Sequence, residues 1–279
     1  MKRIRVSATS ANIGAGLDCM GFALNLYNEV TVGARGEGPD AGLRDRKNLV
    51  YSSAKRVFDI CGRPVNIYLK QSGDIPSASG LGSSASCVVL GVAAANEVLG
   101  KPLGVPDMIN LCAELDGHPD NVVPAIAGGV TACAVTDGGR VEYLRCDGID
   151  GLSVYAATPD FPLQTARARK ALPEFYSRAD AVYSLQRAVT TFAAFALRDA
   201  DKLRLIDDRL HQPYRRPLIR DYDAVVGAFD SRGALASFLS GAGPTIIGLF
   251  TDGCDPPLPE GWTLRKLRIE NEGLRVTEL

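Results

Sequence analysis

The chain has 279 residues, 46% of them apolar and 23% charged, with a net charge of −1. That composition suits a globular protein with a full core. With a near-zero net charge, no basic surface argues for nucleic acid or anionic membranes, and the longest apolar run, Ala85 to Ala95, is too short to span a bilayer.

Met1 to Val6 alternates charged and apolar residues and has no signal-type apolar core. Residues 3–8 and 25–33 read as strands. Asn48 to Cys61 carries a helical apolar stripe, with Asn48 placed to cap it. Residues 65–69 alternate as a strand. A helix over 83–99 ends at Gly100, and Pro106 to Leu115 forms another that Gly117 and Pro119 end. Strands follow near 129–136, 140–145 and 152–158. The second half is more helical, at 165–172, 178–198, 200–210 and 216–229. Two strands, 234–239 and 245–250, flank Gly241 to Pro244, and a last pair lies within 263–278. This mixture without regular βαβ alternation predicts an α+β fold of two lobes, divided as 1–152 and 153–279. The seven cysteines (Cys19, Cys61, Cys87, Cys112, Cys133, Cys146 and Cys254) form no Cys-x-x-Cys pair. They read as reduced core thiols of a cytoplasmic protein.

Pro76 to Ala85 concentrates glycine and serine just before the 83–99 helix. Such a turn is built to hold phosphate, because the free N–H groups of a first helical turn point at an anion. No lysine follows Gly82, so it is not a Walker A loop. Gly80-Leu81-Gly82-Ser83-Ser84-Ala85 matches the dinucleotide fingerprint. That reading is poor, because the preceding strand ends about ten residues too early. A plain helix cap with spare glycines stays open.

The two histidines mark further clusters, His118 in Glu114 to Asn121 and His211 in Asp207 to Arg215. Both are polar stretches just past a helix, and each could be a solvated turn. Glu114 and Asp120 could serve a metal and a nucleophile, since Mg²⁺ takes one or two carboxylates plus substrate phosphates. Asn121 could orient a hydroxyl. Thr9 to Asp18 offers Asn12 and Asp18 as polar anchors. Arg169 and Arg215 suit a carboxylate or phosphate. Taken singly, each arginine is a surface residue, and Ser240 to Thr245 is a β-turn.

Together, the segments Ser7 to Asp18, Pro76 to Ala85 and Ser240 to Thr245 resemble the GHMP kinases. Ala8 to Gly21, His118 to Pro124, Thr165 to Pro173 and His211 to Arg215 resemble the homoserine kinases within that family. The resemblance runs over all but about the last thirty residues. It implies an N-terminal lobe with a left-handed βαβ unit and a ferredoxin-like C-terminal lobe. It implies ATP on Pro76, Ser77, Ala78, Ser79, Gly80, Leu81, Gly82, Ser83, Ser84, Ala85 and Ser86, with adenine toward Asn48, Leu49 and Val50. Glu114, with Ser83, would hold Mg²⁺. Asn12, Asp18, His118, Asn121, Thr165, Arg169, Arg215 and Gly241 would line the acceptor pocket.

The implied reaction is transfer of the ATP γ-phosphoryl to the side-chain hydroxyl of L-homoserine, a step of threonine biosynthesis. Asn121 and Arg215 would position the acceptor, and Asp120 could act as a base. The alternatives are another small-molecule acceptor, such as mevalonate or a sugar, or a silent nucleotide-binding regulator. The partners expected are a small molecule and, from the family, a second copy of the chain, with neither nucleic acid nor membrane. Ser7 stands where many members have proline, Leu17 where they have phenylalanine, and Ser184 where asparagine is common.

Overall fold

The computed structural model describes every residue except Ala41 and Cys254. The expectation of a core thiol at Cys254 therefore lies outside the described residues. In chain order, β1 (Lys2–Ala11) and β2 (Met20–Gly33) lead to α1 (Leu49–Ile60) and β3 (Tyr68–Gly73). Then come α2 (Ser83–Val98), α3 (Val105–Asp116), α4 (Pro119–Ala127), β4 (Val130–Val135) and β5 (Val141–Cys146). The second half runs through β6 (Ser153–Pro159), α5 (Thr165–Lys170), α6 (Arg178–Ala196), α7 (Gln212–Arg215) and α8 (Tyr222–Asp230). It closes with β7 (Ala236–Leu239), β8 (Ile246–Phe250), β9 (Trp262–Leu267) and β10 (Arg275–Glu278).

The first sheet has the order β10-β1-β2-β4-β5, with β3 also paired to β2. Helices α1 to α4 bury their apolar residues against it. Helix α2 is buried almost continuously from Ala85 to Asn96, so it is apolar all round rather than amphipathic. A Cβ on Gly91 would lie 2.2 Å from the Val50 carbonyl oxygen, so glycine there lets α1 and α2 meet backbone to backbone. The second sheet has the order β7-β8-β6-β9. Counted within the lobe this is the ferredoxin-like strand order. The described residues between β8 and β9 form no helix, so one ferredoxin helix is replaced by a Pro-containing loop.

The strand that opens the second half, β6, begins at Ser153. The last strand does not stay with it: β10 pairs antiparallel with β1, with Lys2 opposite Glu278. The second lobe thus returns its end to the first sheet. A core shared by the lobes joins them, where Phe22 of β2 packs against Phe195 of α6 and edge-on to Phe238 of β7, at centroid distances of 6.5 and 6.4 Å.

Four local expectations are corrected. Pro119 does not end a helix; it opens α4, where proline stands in the first turn and its missing N–H costs nothing. Residues 200–210 form only a short 3₁₀ turn, Ala200–Leu205. The helix expected over 216–229 is split, because Asp221 takes φ +60° and α8 starts after it. The predicted strand 65–69 is shifted to Tyr68–Gly73 by pairing with β2.

Candidate active site

The phosphate-type loop lies at the seam of the two lobes, and its shape follows from where its carbonyls go. The Ala78 oxygen accepts from the Leu163 N–H (3.3 Å) and the Ser79 oxygen from the Thr245 N–H (3.1 Å). The Gly80 oxygen accepts from the Ser240 hydroxyl (2.6 Å), and the Leu81 oxygen from the Thr9 N–H (3.2 Å). With successive carbonyls held outward, the N–H groups of the first α2 turn are left facing the cleft. Gly82 takes φ +68° at the helix start, and no side chain caps it. Those orphan donors and the helix dipole make an anion site. A Cβ on Gly82 would meet Thr9 Oγ1 at 1.9 Å, so only glycine fits there.

Ala78, Ser79, Gly80, Gly82, Ser83, Ser84 and Ala85 all line the cleft. His118, Asp120 and Asn121 enter it from the start of α4. Asp120 is only 2% exposed, and its Oδ1 has no hydrogen-bond partner. Burial first, then the charges of Asp18 and Asp116, push its pKa up to about 7. The Asn121 Oδ1 accepts from the Thr9 hydroxyl at 2.7 Å. That bond commits the carbonyl end of the amide and leaves its NH₂ as the free end.

The opposite wall carries Asn12, Asp18, Thr165, Arg169, Arg215 and Gly241. Asn12 and Asp18 both have positive φ, a conformation that Asn and Asp tolerate better than most residues. The Asn12 Oδ1 accepts from the Asp18 N–H at 2.8 Å, which closes the turn. Arg169 grips Asp18 with two bonds, Nη1 to Oδ2 at 3.1 Å and Nη2 to Oδ1 at 2.7 Å. Arg215 is 1% exposed. It donates to the Gly241 carbonyl at 3.1 Å, and its Nε is unpaired.

Residues 48–129 match the family profile described as "GHMP kinases N terminal domain", and residues 191–255 match "GHMP kinases C terminal". A Moorella thermoacetica protein named homoserine kinase is 42% identical over 257 residues, covering 88% of this chain and 86% of its own. A Clostridium botulinum protein of the same name is 37% identical, covering 99% of this chain and 98% of its own. The chain is a GHMP kinase. Among solved structures, a homoserine kinase from Cytophaga hutchinsonii matches this kinase at a TM-score of 0.85 and 26% identity, over 99% of this chain and 96% of that one. A mevalonate kinase at a TM-score of 0.70 and 13% identity shares the fold.

ATP is a substrate of a kinase of this family, and not every residue expected around it reaches the cleft. Pro76, Ser77, Leu81 and Ser86 do not line it. The Pro76 carbonyl takes the Ser79 hydroxyl at 2.9 Å and shapes the loop from behind. Leu81 is fully buried, and Ser86 bonds the Asn28 amide and the Ser83 carbonyl. Asn48 caps α1, with Oδ1 accepting from the Val50 N–H at 2.9 Å, and the Val50 side chain is in the core. Leu49 is exposed in a shallow groove shared with Val88 and Leu115.

Glu114 is the clearest correction. It points away from the loop, 66% exposed at its side chain, and faces Arg56 at 3.7 Å. The acid of α3 that lines the cleft is Asp116, which hydrogen-bonds the Ser84 side chain. Burial raises its pKa, against the opposing pull of Ser84 and His118. Two residues apart on a helix means about 200° of rotation, so Glu114 and Asp116 cannot both face the loop. Helical phase is the signal that separates them. Asp116 with Ser83 offers hard oxygen donors beside the phosphate cradle, a set that fits Mg²⁺. Thr9 and Ala242 are further site residues that the sequence reading passed over.

Proposed function

We propose that this kinase transfers the γ-phosphoryl group of ATP to the side-chain hydroxyl of L-homoserine, giving O-phospho-L-homoserine for threonine biosynthesis. The observation that carries the acceptor is the Asp18–Arg169 pair with Arg215 beside the α2 N-terminus. An amino acid is a zwitterion. A carboxylate and two guanidiniums in one pocket complement it, whereas mevalonate or a sugar has no ammonium to take the place of Arg169 on Asp18.

In this mechanism the α2 N–H groups hold the phosphates. Arg169 and Arg215 take the acceptor carboxylate, and Asp18 exchanges its bond to Arg169 for the ammonium. The Asn121 NH₂, turned inward because Thr9 holds its carbonyl, donates to the acceptor hydroxyl oxygen. Asp120 Oδ1 receives the hydroxyl proton as the new O–P bond forms and the bond to the ADP oxygen breaks. Asp120 therefore takes the base role and Asn121 a positioning role. Mg²⁺, held by Asp116 and Ser83, would neutralise charge on the β- and γ-phosphates. The groove beside Leu49, Val88 and Leu115 suits adenine. A cytoplasmic setting goes with this reading.

The test is ADP release with ATP and Mg²⁺ against L-homoserine, mevalonate, galactose and no acceptor. Turnover with L-homoserine alone is expected. Turnover only with mevalonate or galactose, or none with any acceptor, overturns the reading.

A further inference from the structure

His211 is fully buried, and neither of its ring nitrogens faces the cleft. Its Nε2 lies 2.7 Å from the Gly14 carbonyl oxygen. Its Nδ1 lies 3.1 Å from Arg215 Nη1. A carbonyl can only accept and a guanidinium can only donate. The two contacts therefore fix one tautomer: Nε2 carries the proton and Nδ1 offers its lone pair. Asp208 does not alter this, because its carboxylate is taken by the backbone N–H groups of Leu210, His211 and Gln212. Burial lowers the His211 pKa in the same sense.

The two partners come from different halves of the chain. Gly14 lies in the turn between Asn12 and Asp18, seated on the chain at Ile206 and Asp207. Arg215 belongs to the second half, and Gly241 is its other side-chain acceptor. Guanidinium donors held by a ring nitrogen on one side and a carbonyl on the other cannot swing.

We propose that His211 is a positioning residue that sets Arg215 against the acceptor carboxylate and ties it to the Asn12–Asp18 turn. The proposal rests on the acceptor reading above only for its kinetic consequence. The geometry of Arg215 is tested apart from it.

Two substitutions split the roles of the imidazole. His211→Asn keeps an acceptor at the δ position, where Arg215 needs it. His211→Gln keeps an N–H donor at the ε position toward Gly14 but has only carbon at δ. Crystal structures of both variants should find Arg215 still on the Gly241 carbonyl in His211→Asn and displaced in His211→Gln. In steady-state kinetics the KM for L-homoserine should rise on the order of 10- to 100-fold in His211→Gln, as for loss of a hydrogen bond to a charged group. His211→Asn should recover most of that loss, and the KM for ATP should change little in either. Arg215 unmoved in His211→Gln, or equal losses for both substrates in both variants, would overturn the proposal. If the wild type ignores L-homoserine, the acceptor reading fails, and the two crystal structures still decide whether His211 holds Arg215.

Discussion

Asp120 combines a buried position, an unpaired Oδ1 and a pKa of about 7. Its folded pKa lies above its unfolded value, so its contribution to stability is present at low pH and is lost as pH rises through about 7. Asp120→Asn removes that dependence. Thermal melts from pH 4 to 8 should find the variant gaining on the wild type as pH rises. Catalysis responds in the opposite sense, because a base works only when ionised. Wild-type kcat/KM for L-homoserine should therefore fall below about pH 7. At pH 8, Asp120→Asn should lose about 10²-fold or more in kcat, the usual worth of a general base. A loss under about tenfold would remove Asp120 as the base. Thr9 acts on the same chemistry from behind, through the amide of Asn121.

At the scale of elements, the proposed contacts to ATP concentrate at the start of α2. Gly82 combines φ +68° with a Cβ position 1.9 Å from Thr9 Oγ1. Gly82→Ala should cost about 1–2 kcal/mol from the left-handed backbone alone, with the Thr9 clash in addition. Denaturant melts would measure that loss. The KM for ATP should rise at least several-fold, because the first-turn N–H groups shift with the loop. A variant with normal stability and normal KM for ATP would remove the close-packed loop from the account. The α3–α4 corner is where local reading misled. Gly117 is a helix stop with φ +93°, but Pro119 is a helix start, and both residues break helices in any single-sequence view. The His118 to Asn121 stretch, read as a loop, carries the site on the first turn of a helix.

Over the whole molecule, the cleft exists because the lobes share one core. Phe22 is fully buried at that seam, against Phe195 and Phe238. Phe22→Ala should destabilise the protein by about 3–5 kcal/mol, as for other buried aromatics. Because both lobes lean on this ring, fluorescence and far-ultraviolet melts should report one cooperative loss. Two separate transitions would mean that the lobes fold independently. The strand β10 strengthens the same tie by returning from the second half to β1.

The glycine- and serine-rich loop, the polar clusters and the family were legible in residue order alone. Those depend on residue type at short spacing, such as glycines beside serines at a helix start. The sequence also named most of the cleft wall: Asn12, Asp18, His118, Asn121, Thr165, Arg169 and Arg215 all meet there. The fold alone shows which acid of α3 lines the cleft and what holds each side chain in position. Glu114 and Asp116 differ by helical phase relative to a neighbouring element, which spacing alone does not reveal. Thr9 to Asn121, Asp18 to Arg169 and Gly14 to His211 are contacts between residues 112, 151 and 197 positions apart. The first is set by how α4 packs on β1 and the other two by how the two lobes pack, and packing is a property of the folded chain rather than of any segment in it.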